Sequence, residues 1–100
     1  MTIKLNNFNY DLQVLMRRLG YRPLGYTDRK ELNSVRPLGG TYPRFHVYAS
    51  ATPEVVTMNI HLDQKKVSYE GVTAHSGDYD SETVREEVLR IKEMISRISD

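Results

Sequence analysis

Cysteine is absent from this sequence of 100 residues. Without thiols, the chain has no disulfide framework, no thiolate zinc site and no cysteine nucleophile. Long apolar runs are missing too, since none approaches the length that spans a membrane. The segment Met1–Asn6 is too short and too polar for the apolar part of a secretory signal. We therefore expect a cytoplasmic protein with no membrane association.

Motifs of well-known chemistry are missing as well. The sequence contains no GxSxG nucleophile turn, no HExxH zinc motif and no glycine-rich phosphate loop. Whether the protein is an enzyme therefore stays open, and no resident metal or other cofactor is expected.

The sequence also lacks a strong net charge. Fourteen Lys and Arg residues stand against 13 Asp and Glu residues, which gives +1 at pH 7. The distribution is uneven, because residues 1–50 carry a net charge of +5 and residues 51–100 carry −4. A basic half is typical of a phosphate-facing surface, although it can equally pair with the acidic half after folding. Hydrophobic content of 39% and charged content of 27% predict one soluble globular domain over residues 1–100.

Two segments have the 3.6-residue period of amphipathic helices. The first covers residues 9–19 and is followed by Gly20, a typical helix stop. The second begins after a cap at Asp80 or Ser81. Its apolar stripe, widened by two neighbouring side chains, consists of Val84, Val88, Ile91, Ile95 and Ile98 with Leu89 and Met94. Glu86 precedes Arg90 by four residues, a spacing that predicts an ion pair along the helix.

Between the helices, the sequence predicts β-strands at Tyr21–Thr27 and Leu32–Arg36 and a hairpin over residues 42–63. With a turn at Ala51–Glu54, the predicted hairpin pairs are Ser50–Val55, Tyr48–Thr57, His46–Asn59 and Arg44–His61. Residues 64–79 show no clear period and are predicted to form a long loop. The predicted fold is an α+β two-layer sandwich in the order α-β-β(-β)-β-α, with an antiparallel sheet of about three or four strands and both helices on one face.

Alternation along the hairpin separates an apolar face from a polar one. The polar hairpin face carries Arg44, His46, Tyr48, Thr57, Asn59, His61 and Asp63, and we expect it to be open to water. A sheet face with a cation, a stacking ring and hydrogen-bonding groups is typical of surfaces that bind single-stranded RNA. The leading prediction is therefore a small binding module for RNA or another polyanion. Additional phosphate contacts are predicted from Arg22, Arg29, Lys30, Arg36, Lys65 and Lys66.

The same face supports other hypotheses. His46, His61 and Asp63, with His75 from the predicted loop, are ligand types of a zinc or similar divalent site, although no recognised spacing motif accompanies them. A histidine-dependent enzyme, with His46 as the candidate catalytic residue, is the second hypothesis. A homodimer that docks through the polar face or through an unpaired strand edge is the third.

Three segments resemble a group of small bacterial proteins of unassigned function: Tyr42–Tyr48, His61–Lys66 and Ala74–Asp80. A weaker resemblance is to HicA-type toxins, ribonucleases with a fold like that of double-stranded-RNA-binding domains. Leu19-Gly20-Tyr21 is similar to the turn after the first helix of that family, and His46 matches the position of its catalytic histidine. Arg44 and Phe45 stand where the family has a Gly-Ser pair. This resemblance implies a ribonuclease as the most concrete form of the enzyme hypothesis.

Overall fold

The structure, a computed structural model, describes residues 1–64, the backbone of residues 77–78, and residues 81–98. Its elements follow in the order β1 (Thr2–Asn6), α1 (Leu12–Arg18), β2 (Arg22–Tyr26), β3 (Leu32–Pro37), β4 (Arg44–Ala51), β5 (Val55–Asp63), β6 (Gly77–Asp78) and α2 (Glu82–Ile98).

The strands form one antiparallel sheet with the spatial order β1-β5-β4-β3-β2. The two-residue strand β6 also pairs with β5, beyond the end of β1. The α+β class and the antiparallel sheet are confirmed, but the predicted count of three or four strands is too low. The missing long strand is β1, in which Ile3 is buried between exposed neighbours. A five-residue edge strand with only two apolar positions gives too weak an alternation to be recognised before its partner strand is known.

The central hairpin differs from the predicted register by two residues. Ser50 lies opposite Thr57, and His46 lies opposite His61. The turn is tighter than predicted because Pro53 and Glu54 occupy its corner and the backbone N–H of Thr52 donates to the carbonyl of Val55 (2.8 Å). The Thr52 hydroxyl also accepts from the backbone N–H of Val55 at 3.1 Å. A shift of two residues preserves side-chain alternation, so both predicted faces remain intact.

The apolar face of the hairpin forms the floor of the core. Strand residues such as Val47, Met58 and Ile60 are fully buried there and share one hydrophobic cluster with Leu15 of α1 and Ile91 of α2. Both helices therefore pack on this face, as the sequence predicts.

Helix α1 begins later than predicted because the Asp11 side chain accepts from the backbone N–H of Val14 (3.0 Å) and caps the helix. It ends as predicted, with Gly20 at a φ of +91°, a backbone region that glycine adopts without a steric penalty.

Helix α2 follows the predicted stripe with two corrections. Leu89 is 66% exposed and does not belong to the buried face, whereas Met94 packs against the core. Arg90 pairs with Glu87, at 2.7 Å, rather than with the predicted partner Glu86. Glu87 is buried because it faces the sheet, where it also accepts a hydrogen bond from the Tyr21 hydroxyl (2.6 Å).

The predicted loop over residues 64–79 is corrected at residues 77–78, which form β6. Residues 65–76 and 79–80, which include the predicted alternative cap Asp80, lie outside the described residues. The other predicted cap, Ser81, does cap α2, because its hydroxyl accepts a hydrogen bond from the backbone N–H of Val84 (3.2 Å). Neither helix in the described part of the chain has the length and apolar character needed to cross a lipid bilayer.

Candidate metal centre

Strands β4 and β5 bring the polar residues of the hairpin together in three adjacent pairs. His46 lies opposite His61, Arg44 opposite Asp63, and Tyr48 opposite Asn59. Directly opposite side chains on one sheet face are the closest neighbours that a sheet provides. The register therefore brings the two histidines into contact, where the predicted register placed them on a diagonal.

Two imidazoles converge on a single carboxylate in what we call the His–His–Asp centre: His46, His61 and Asp63. His46 Nδ1 lies 2.9 Å from Asp63 Oδ2, and His61 Nε2 lies 2.9 Å from Asp63 Oδ1. One nitrogen or oxygen ligand atom from each residue lies within 4.8 Å of the other two. Arg44 Nε donates to the same carboxylate, 3.3 Å from Oδ2, and its guanidinium lies over the ring of Tyr42.

Asn33 completes the surroundings of His46 from the neighbouring strand β3. Its side-chain oxygen Oδ1 lies in hydrogen-bond contact with His46 Nε2. An amide oxygen only accepts, so in this contact Nε2 carries the hydrogen. The other ring nitrogen, Nδ1, then faces the Asp63 carboxylate and requires a cation between them, either a proton or a metal ion.

The rings of the centre are packed against one another. The His46 centroid lies 4.7 Å from that of Tyr48 and 4.8 Å from that of His61. His46 is 9% exposed and His61 is 7% exposed. The prediction that the polar hairpin face is open to water is therefore wrong for the middle of that face. The buried Val35 of β3 is a further neighbour of His46, because it lies directly opposite His46 in the sheet.

Burial lowers the pKa of His61 below its usual range, and the neighbouring His46 acts in the same direction. The carboxylate of Asp63 opposes this effect and raises the pKa of His61, but the net shift is downward. His61 is consequently in its neutral form at neutral pH, with a lone pair on one ring nitrogen.

The predicted site residues are only partly brought together. Arg44, His46, Tyr48, His61 and Asp63 form one connected group, and the exposed Asn59 lies at its margin opposite Tyr48. His75, Lys65 and Lys66 lie outside the described residues.

The predicted phosphate contacts do not form one surface. Arg36 binds Glu87 on the helix side of the sheet, whereas Arg22 lies opposite Val35 in the row of residues that contains the two histidines. Arg29 and Lys30 lie in the turn between β2 and β3.

Asn33 is a residue of the site that could not be predicted from the sequence. Its alternation within β3 places it on the same face as Tyr48, which lies directly opposite. That position becomes visible only when β3 is paired in register with β4, and the sequence offers no tight turn between these strands to define the register.

Comparison of the chain with protein-family models, with curated proteins and with solved structures finds no match.

Proposed function

We propose that the protein binds one divalent transition-metal ion, with Zn²⁺ as the reference ion, at the His–His–Asp centre. The observation that carries this proposal is the convergence of His46 Nδ1 and His61 Nε2 on the two oxygens of Asp63, each at 2.9 Å. Two imidazoles and a carboxylate are a common ligand set for zinc and for non-haem iron.

The distances suit coordination after a small adjustment. Ligand atoms about 2.0–2.1 Å from an ion lie roughly 3 to 3.4 Å from one another in octahedral or tetrahedral geometry. Both nitrogen–oxygen separations of 2.9 Å are close to that range. The widest separation, at most 4.8 Å, must shorten by roughly 1.5 Å, a movement that side-chain rotation supplies.

Asn33 and Arg44 hydrogen-bond the proposed ligands His46 and Asp63, as the residues around a metal site usually do. A histidine ligand usually donates its second ring N–H to an oxygen, which fixes the ring and leaves the first nitrogen free to coordinate. Asn33 Oδ1 receives this hydrogen bond from His46 Nε2. Arg44 holds the Asp63 carboxylate in a similar way.

His61 is in the neutral form that a metal ligand needs, whereas His46 must release its Nδ1 proton when an ion binds. Metal ligands must be deprotonated, and the lowered pKa of His61 keeps this imidazole neutral at neutral pH. The carboxylate of Asp63 supplies negative charge to attract the ion.

The same contacts lend less support to the other hypotheses, which stay predictions. Arg44, the only arginine of the polar hairpin face, is engaged with Asp63. Both ring nitrogens of His46 contact protein groups, so proton transfer to a substrate requires one contact to break. No contact among the described residues bears on a homodimer.

The first test is calorimetric titration of the chelator-treated protein with Zn²⁺, followed by Co²⁺ absorption spectroscopy. We expect one ion per chain and a Co²⁺ spectrum typical of nitrogen and oxygen ligands. The substitution Asp63→Asn preserves shape but removes the ligand charge, and we expect it to weaken Zn²⁺ binding by about tenfold or more.

Asn59→Ala is the matched control, because Asn59 is a polar residue of the same strand and face that offers no ligand atom to the centre. It should bind Zn²⁺ as the wild type does. Equal affinity of wild type, Asp63→Asn and Asn59→Ala would show that any bound zinc lies elsewhere, and the proposal would then be wrong.

A further inference from the structure

A groove lies between the end of α1 and strands β2 and β3, and its residue Val35 is opposite His46 of the His–His–Asp centre. The groove has a volume of about 530 Å³. Its lining, which defines the arginine groove, consists of Arg17, the Gly20–Tyr21 backbone corner, Arg22, Pro23, Val35 and Pro37. The volume lies in the range of small-molecule sites and is sufficient for a mononucleotide.

The two arginines of this groove have no ion-pair partner in the described part of the chain. By contrast, the neighbouring Arg36 is paired with Glu87. The Nε atom of Arg36 lies 3.6 Å from the position that a Cβ atom would take at Gly20. Arg17 and Arg22 therefore present two uncompensated guanidinium groups to one groove. Guanidinium groups bind phosphate oxygens through paired, charge-assisted hydrogen bonds.

The negative end of α1 does not compete for these cations. The carbonyl of Leu15 accepts from the backbone N–H of Leu19, and the carbonyls of Met16 and Arg17 accept from those of Tyr21 and Gly20. Because these last-turn carbonyls already accept backbone hydrogen bonds, they are weaker acceptors for the two guanidinium groups.

The remaining lining is apolar and stiff. Pro23 and Pro37, which are both accessible, supply a surface suited to a sugar or a base rather than to an isolated ion. Register connects this surface to the centre, because Arg22 lies opposite Val35 and Val35 lies opposite His46.

We infer that the arginine groove binds a phosphate-bearing ligand of nucleotide size, through Arg17 and Arg22, with the base or sugar on Pro23 and Pro37. The inference does not depend on a metal ion at the His–His–Asp centre. The ligand chemistry is shared by a free mononucleotide and by a nucleotide within a single strand.

The test uses the full chain with two probes, 5′-AMP followed by chemical-shift titration and a fluorescent eight-nucleotide oligouridylate followed by anisotropy. The double substitution Arg17→Ala/Arg22→Ala should weaken binding by about tenfold or more. Arg29→Ala/Lys30→Ala removes the same charge from the turn between β2 and β3, outside the groove, and should change binding by less than about twofold. Circular dichroism checks that both variants fold.

Saturable binding of 5′-AMP supports a mononucleotide site, and binding of the oligonucleotide alone supports a strand; either result sustains the inference. Equal weakening by the two double substitutions would reduce the effect to general charge and overturn it, as would failure of both probes to bind at low salt. Binding should also survive in Asp63→Asn with chelator present. Its loss there would place the phosphate on a metal ion instead of on the arginines.

Discussion

The side-chain hydroxyl of Ser34 is buried on the helix-facing side of β3, opposite Val47, and has no hydrogen-bond partner in the described part of the chain. Burying a hydroxyl without a partner costs free energy, because its hydrogen bonds to water are lost and not replaced. The unpaired hydroxyl of Ser34 therefore lowers the free energy of unfolding of the protein.

Replacing Ser34 by alanine should raise the free energy of unfolding by about 1 kcal/mol, since the unpaired hydroxyl is removed and little volume changes. Urea denaturation of the two proteins measures the difference. Ser50→Ala is the control, because Ser50 is a partly exposed serine on the polar face of the neighbouring strand β4. We expect that change to stay within about 0.5 kcal/mol. A less stable Ser34→Ala protein would mean that the hydroxyl is bonded in solution.

His46 and His61 illustrate how environment separates two chemically identical side chains. His46 is held at both ring nitrogens by Asp63 and Asn33, which fixes its orientation. His61 is held by Asp63, and burial keeps its imidazole neutral. A metal ion needs both features, namely a fixed ring and an available lone pair.

At the scale of the elements, the alternation of the β4–β5 hairpin explains why the residues of the polar hairpin face could be predicted from the sequence. Alternation assigns Arg44, His46 and Tyr48 to one face under either register, because the predicted and observed pairings differ by two residues. The contact between His46 and His61, by contrast, depends on the register itself. Pro53 and the Thr52 hydroxyl set that register through the turn, and two-residue and four-residue turns are both compatible with the sequence.

Strand β1 and the burial of Glu87 could not be predicted, because both depend on contacts between residues that are distant in sequence. Strand β1 contributes only Ile3 and Leu5 as apolar residues, and it is defined by pairing with β5, which is distant in sequence. A charged residue such as Glu87 is usually exposed on a helix, yet Glu87 is buried because Tyr21 and Arg36, from other parts of the fold, bind its carboxylate. Long-range pairing decides both cases, and local periodicity contains no information about it.

Helix α2 is attached to the rest of the fold by the Glu87 cluster, which consists of Tyr21, Arg36, Glu87 and Arg90. The carboxylate of Glu87 receives hydrogen bonds from Tyr21 (2.6 Å) and from Arg90 (2.7 and 2.9 Å). Arg90 also donates to the backbone carbonyl of Leu19 at the end of α1, 2.7 Å away. The pKa of Arg90 is raised, chiefly by its hydrogen bond to Glu87.

Substituting Glu87 by glutamine should lower the free energy of unfolding by about 2–4 kcal/mol, because it leaves two guanidinium groups without their shared counter-charge. Glu86→Gln is the matched control, since Glu86 is the exposed neighbour in the same helix. We expect it to change stability by about 0.5 kcal/mol or less. Chemical denaturation followed by circular dichroism compares the three proteins. Similar losses for both variants would contradict a special role of the buried carboxylate.

At the scale of the whole molecule, the two faces of the sheet carry different features. One face is covered by α1 and α2 and contains the hydrophobic core. The other carries the His–His–Asp centre, with the arginine groove adjoining it at the edge formed by β2. The helix-covered sheet positions the side chains of the centre, because β4 and β5 supply His46, His61 and Asp63 and β3 supplies Asn33, which contacts His46.

The Glu87 cluster makes the stability of the whole molecule sensitive to alkaline pH. Burial raises the pKa of the Tyr21 hydroxyl strongly, and the nearby carboxylate of Glu87 adds to the effect. In the unfolded chain a tyrosine loses its proton near pH 10, whereas the folded protein retains it to higher pH. The contribution of this group to folding is therefore fully present below about pH 10 and is lost progressively as the pH rises above that value.

Tyr21→Phe removes the titrating hydroxyl, so we expect the variant to be less stable than the wild type at pH 8 by about 1.5–3 kcal/mol, since a hydrogen bond to a charged carboxylate is lost. Between pH 9.5 and about pH 11, however, its stability should decrease less steeply than that of the wild type. Urea denaturation at a series of pH values measures both slopes. Tyr26→Phe is the control, because Tyr26 is 57% exposed and its ring contributes little to the core. If wild type and Tyr21→Phe lose stability in parallel above pH 10, the Tyr21 hydroxyl does not retain its proton through the bond to Glu87, and the cluster is held together by the arginines alone.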